Sequence, residues 1–159
     1  MWLTDDQQRA WLAFMRVQLR MTYEMNRQLQ AGSDLSLTDY DVLNALADSP
    51  GSALSVTALA ARLGWERSRV SHHTKRMAGR GLVRTASAAH DRRVTEIALT
   101  DAGRRAGEDA APGHVALVRR LFFDGLEPEV VAQLSAALET VYGNILDRGS
   151  PPEPPRPAE

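Results

Sequence analysis

The chain has 159 residues, 43% of them hydrophobic and 25% charged, with a formal net charge of -1 and no cysteine. That is ordinary for one water-soluble domain with a real core, and it excludes a disulfide framework, a thiolate metal site and a cysteine-based redox sensor. No apolar run reaches the ~18 residues a membrane helix needs, and the opening residues are acidic and polar rather than signal-like, so a cytoplasmic protein without a membrane partner is expected.

In chain order, Thr4 with Gln7 three residues on forms a capping-box pattern that opens a long helix to about Leu29. Trp11, Met15, Thr22, Met25 and Leu29 share one face, and Leu12, Phe14, Leu19 and Met21 widen it. A helix apolar over so much of its circumference needs more than one neighbour. Gly32-Ser33-Asp34 ends it. A second helix follows, with Ser36 as N-cap, Asp39 at its third position and Tyr40, Leu43 and Leu46-Ala47 at helical spacing. Ser49-Pro50-Gly51 stops it.

Ser55 caps a short helix whose Ala58, Leu59 and Leu63 are expected to face inward, and Gly64 closes it. Ser68 is read as the cap of the next helix, which Gly79 and Gly81 close. Two short helices joined by a tight glycine-containing turn make a helix-turn-helix. Residues 82–85 and 94–99, rich in β-branched side chains, read as a two-stranded hairpin, a wing, around the loop SAAHDRR.

Thr100-Asp101 caps a helix running on towards Phe123, with Pro112-Gly113 expected to kink or break it. Pro128 opens the last helix, where Val131, Leu134, Leu138, Val141 and Ile145 recur at spacings of three and four. Such a seam fits a monomer core helix as well as a dimer. The tail from residue 148 is Pro-rich and is expected to be disordered or polyproline-like.

Charge is unevenly distributed. Residues 62–93 hold nine basic and two acidic residues, a net +7, whereas the remainder holds ten basic and 18 acidic, a net -8. A local basic patch on an acidic body is the footprint of a nucleic-acid contact. On the helix after Ser68, Val70, His73, Thr74 and Met77 share one face and should meet the core, His73 as a hydrogen-bonded inner residue. Ser68, Arg69, Ser71, His72, Lys75 and Arg76 lie on the other face or at its N-terminal end. Arg69 suits a bidentate contact to guanine; Ser68, Ser71 and His72 can reach bases or phosphates; Lys75, Arg76 and Arg67 suit phosphates. At the wing tip stands Asp91-Arg92-Arg93. A guanidinium there suits a narrow minor groove, and Arg92 suits a phosphate. His72 and His73 point about 100° apart and cannot chelate one ion, so neither a metal nor a cofactor is expected.

The words ALAARLGWERSRVSHHTKRMAGRGLV, HDRR and IALTDAG, in this order and spacing, resemble the MarR (multiple antibiotic resistance regulator) family. The resemblance covers roughly residues 5–146. It implies a mainly α fold with a small β-wing: a winged helix-turn-helix DNA-binding lobe at 34–100, a helical dimerisation region at 1–33 and 101–147, and a tail at 148–159. It implies a homodimer on a pseudo-palindromic operator in double-stranded DNA, with Arg93 inserted in the minor groove and oriented by Asp91. It further implies a repressor released by a small aromatic ligand, with Trp11, Met15 and Tyr40 as candidate lining. The alternative is a winged-helix module that binds protein. No catalytic motif is found, so an enzyme is not expected.

Overall fold

A computed structural model gives the fold and describes residues 2–150; the tail expected to be disordered lies, from residue 151 on, outside the described residues. Helix α1 (Asp5–Ser33) opens on the expected capping box: the Thr4 hydroxyl accepts from the Gln7 N–H, and the Gln7 amide oxygen accepts from the Thr4 N–H. It runs one turn past Leu29 and stops at Asp34, whose φ of 56° is left-handed. At 1.5 Å per residue its 29 residues reach about 43 Å. Only Leu29 on it is buried, and its N-terminal half is almost wholly exposed.

Helix α2 (Leu37–Ala47) carries a second capping box, between Ser36 and Asp39. The three residues after the Pro50–Ser52 turn form a strand, β1 (Ala53–Ser55), which leads into α3 (Val56–Leu63). Ala58 is exposed rather than inward. The helix starts after Ser55 as expected, and its inner face falls on Val56, Leu59 and Ala60. Helix α4 (Arg67–Gly79) starts earlier than Ser68 capping would allow: its N-cap is Glu66, which makes no side-chain capping bond. Gly64 turns the chain at φ 64°, and buried Trp65 donates its N–H to the Ala60 carbonyl, so the turn closes sooner.

Strands β2 (Val83–Ser87) and β3 (Thr95–Leu99) make the expected hairpin, but the sheet has three antiparallel strands in the order β1-β3-β2. Ile97, in the middle of β3, is paired with Leu54 on one side and Thr85 on the other. It is buried at the base of the wing, against a core built on Leu29, Leu43, Leu46, Leu59, Val70 and Met77.

Helix α5 (Asp101–Val118) is capped by Thr100 and passes through Pro112 without a break. The proline removes one N–H, and both Pro112 and Glu108, whose carbonyl would have accepted it, are exposed. A π-turn at Arg119–Phe123 leads to α6 (Pro128–Arg148). The seam of α6 is largely open: Leu138, Val141 and Ile145 are exposed. Leu134, Leu138 and Val141 of that seam, with Trp11, Phe14 and Val17 of α1, line an apolar trench of about 1260 Å³.

Candidate nucleic-acid interface

Helix α4 is held by one face. Val70, His73, Thr74 and Met77 are buried, as their spacing predicts, while Ser68, Arg69, Ser71, His72, Lys75 and Arg76 are exposed together on the outer side. Arg67 is half-buried at the first helical position, and its Nε is buried without a hydrogen-bond partner. The Arg69 guanidinium carbon lies 4.1 Å from the centroid of the Trp65 ring, over its face, a cation–π contact.

The inner face holds a polar network around the expected hydrogen-bonded His73, whose Asp39 and Arg80 members sequence reasoning missed. Asp39, almost fully buried, accepts from the Ser36 N–H at 3.0 Å and from Arg80 Nη1 at 2.7 Å. Arg80 also donates through Nη2 to the Asp34 carbonyl at 2.7 Å, so one guanidinium joins the end of α4 to the end of α1 and the start of α2. Burial pushes the Asp39 pKa up, but the Ser36 N–H and Arg80 together outweigh it and hold the carboxyl below its ordinary value.

His73 Nε2 lies 3.0 Å from Asp39 Oδ1. Its Nδ1 accepts from Arg76 Nη2 at 3.1 Å, which assigns the proton to Nε2, facing Asp39. Burial lowers the His73 pKa; Asp39 opposes this, and Arg76 and Arg69 reinforce it. The sequence signals for this network were Asp39 at the third helical position of α2 and His73 on the inner face of α4. Arg80, the partner of Asp39, is 41 residues away from it.

At the wing tip the Asp91 carboxylate accepts from the Arg93 backbone N–H at 2.9 Å and from its Nε and Nη2 at 3.2 and 3.3 Å. These bonds lower the Asp91 pKa. The Arg93 side chain is 91% exposed even so, which makes it an aimed but open guanidinium, and Arg92 is exposed beside it. Of the basic window, Arg62 and Arg80 are spent on acidic partners within the lobe, Asp48 and Asp39.

The three ligand candidates do not converge within one chain. Trp11 lines the α1–α6 trench, Met15 is half-buried on α1 outside that lining, and Tyr40 is buried with its ring 4.7 Å from that of His114 on α5. His114 Nδ1 and Gln28 Oε1 are buried without partners. Among the described residues no cluster of three or more His, Asp or Glu is placed to hold a metal, and no helix is long and apolar enough to cross a membrane.

The MarR family model matches residues 33–94, from the end of α1 to the wing. Among solved structures the chain is similar to AbsC, a MarR family transcriptional regulator from Streptomyces coelicolor, at 34% identity and a TM-score of 0.85, covering 93% of this chain and 99% of that one. It is also similar to Sco3205, a MarR family regulator of S. coelicolor solved in complex with DNA, at 32% identity and a TM-score of 0.87, covering 95% and 98%. CouR from Rhodococcus jostii RHA1, solved with p-coumaroyl-CoA, shares 29% identity at a TM-score of 0.70, covering 81% and 88%. No curated protein matches. With the same winged helix and more than 30% identity to two such regulators along nearly its whole length, the chain belongs to the MarR family of transcriptional regulators rather than to any class of enzyme.

Proposed function

We propose that the chain acts as a homodimer that binds a pseudo-palindromic operator and represses transcription until a small aromatic ligand releases it. The observation that carries the DNA reading is the two-sidedness of α4. Four buried residues fix the helix, so that Ser68, Arg69, Ser71, His72, Lys75 and Arg76 stand out as one polar, basic face. Arg69 is assigned to a guanine edge, Lys75, Arg76 and Arg67 to phosphates, and Arg93, steadied by Asp91, to the minor groove with Arg92 on its flank. The complex of the relative Sco3205 with DNA supports this assignment.

The dimer reading rests on the trench. Large apolar side chains on α1 and α6 remain open in the single chain, and a second copy covers both at once. On this reading residues 1–33 and 101–147 dimerise and residues 34–100 form the DNA-binding lobe. For the ligand, Tyr40 supplies an aromatic wall, with the unpartnered Gln28 Oε1 and His114 Nδ1 available to a polar group. Trp11 and Met15 belong nearer the dimer contact. The p-coumaroyl-CoA bound to the relative CouR supports an aromatic ligand class.

The test is fluorescence anisotropy on DNA from upstream of the protein's own gene, over a series of salt concentrations. Log affinity should fall linearly with log salt, and Arg69→Ala or Arg93→Ala should lose about tenfold or more, the value of a good base contact. p-Coumaroyl-CoA serves as the first ligand probe for release. Binding to that DNA and to DNA selected from a random pool that stays as weak as to random duplex would overturn the reading and favour a winged-helix module that binds protein.

A further inference from the structure

We propose that Trp65 is a specificity-determining positioning residue: its indole holds the Arg69 guanidinium flat, so that Arg69 reads one base pair in each half-site rather than sliding to a phosphate. The proposal rests on the reading of α4 as the recognition helix and deepens it.

An exposed arginine ordinarily samples many rotamers, and fixing it for a bidentate contact costs side-chain entropy. Arg69 is an exception among the exposed residues of α4. Its guanidinium carbon sits 4.1 Å from the Trp65 ring centroid. A guanidinium stacked by its face keeps the edge, with its fork of N–H donors, free for guanine O6 and N7. The stack is useful only if the indole is itself held, and its surroundings brace it on several sides. Trp65 is 9% exposed, its backbone N–H is bonded to the Ala60 carbonyl at 3.0 Å, and Gly64 before it sits in the left-handed turn. Its ring also meets the His73 ring edge-on at 5.5 Å and 87°. His73 in turn is placed by Arg76 and lies against Asp39. A rigid line therefore runs from the α2 capping box through His73 and Trp65 to Arg69. Neither Lys75 nor His72, on the same outer face, stacks on an aromatic ring in this way.

The test begins with a duplex selected from a random pool by the wild-type protein. Every single-base-pair substitution of that duplex is then competed against it for wild type, Arg69→Ala, Trp65→Leu and Trp65→Phe. Arg69→Ala should lose about tenfold discrimination at one base pair and its symmetry mate. Trp65→Leu should lose several-fold at that same base pair, with the salt slope unchanged, and Trp65→Phe, which still offers an aromatic face, should restore most of it. Because Trp65 belongs to the core, the same profile is also measured on protein grown with 5-fluorotryptophan, which drains charge from the ring face with little change of shape. Discrimination should weaken at the Arg69 base pair in the wild-type background and not change further in Arg69→Ala. Wild-type discrimination in both the leucine variant and the fluorinated protein would overturn the proposal. So would a loss uniform across all duplexes that tracks thermal stability. If Arg69→Ala itself leaves the profile unchanged, it is the recognition-helix assignment of Arg69 that fails.

Discussion

Asp39→Ala removes the junction of three elements, and its cost is calculable. The Ser36 N–H loses its acceptor at 3.0 Å, one half of the α2 capping box, worth about 1 kcal/mol. Arg80 Nη1 loses a charge-assisted bond of 2.7 Å. Such bonds contribute roughly 1.5–3 kcal/mol, and the lower end applies because the Arg80 side chain is 42% exposed and water replaces part of the loss. The total is about 2–3 kcal/mol, which in a chain of this size lowers the melting temperature by roughly 4–12 °C. Asp39→Asn keeps an oxygen for the Ser36 N–H but loses the charge, and should cost about half as much. The assay is thermal unfolding at one fixed protein concentration, since self-association would make the midpoint concentration-dependent. In a double-mutant cycle with Arg80→Ala, the two losses should overlap by about 1 kcal/mol or more. A midpoint within about 1 °C of wild type for Asp39→Ala, well below the expected cost, would refute the view that this buried carboxylate ties α4 to α1 and α2.

Burial lowers the pKa of both His73 and His114 below the ordinary 6.5, so the unfolded chain takes up those protons first. Stability should therefore be level above neutral pH and decline as pH falls from about 6.5 through the folded values, with a shallower decline in His114→Gln, as read by urea midpoints against pH. Asp41 has the opposite sign: burial raises its pKa above 3.8, so its contribution is full below that value and lost as pH rises through the folded one. Asp41→Asn should raise the melting temperature at neutral pH and give no gain in acid below the ordinary carboxylate range. At Gly103 an added Cβ would fall on the Leu82 carbonyl oxygen, the atom that also accepts from the Thr100 hydroxyl at 2.9 Å. Gly103→Ala should cost about 1–3 kcal/mol or more in denaturant unfolding, whereas Gly79→Ala, at the end of α4 with open space around it, should be neutral or stabilising.

What was legible in the sequence was what lies within one or two helical turns. The caps at Thr4, Ser36, Ser55 and Thr100 are bonds between residues three apart, and the inner face of α4 is a repeat of three and four. The Asp91–Arg93 clasp spans two residues. Strand β1 was missed because three residues carry no alternation; it exists because Ile97 of β3 has a second edge to offer. The start of α4 was misplaced because the turn before it is set by Trp65 packing into the core, not by a capping side chain. Pro112 misled because propensity is a local preference that tertiary packing overrides: α5 packs on α1 and α2 and continues through the proline. The Asp39–Arg80 pair joins positions 41 apart and has no local signature. The α6 seam was ambiguous in the sequence, since a monomer core and a dimer contact share its spacing. In the folded chain Leu138, Val141 and Ile145 remain exposed although Ile97 and Leu59, no more apolar, are buried. Local pattern fixes which face of a helix is apolar. Which surface covers it is a property of the assembly, and here α1 and α6 present their apolar faces to a trench that the rest of the described chain leaves open.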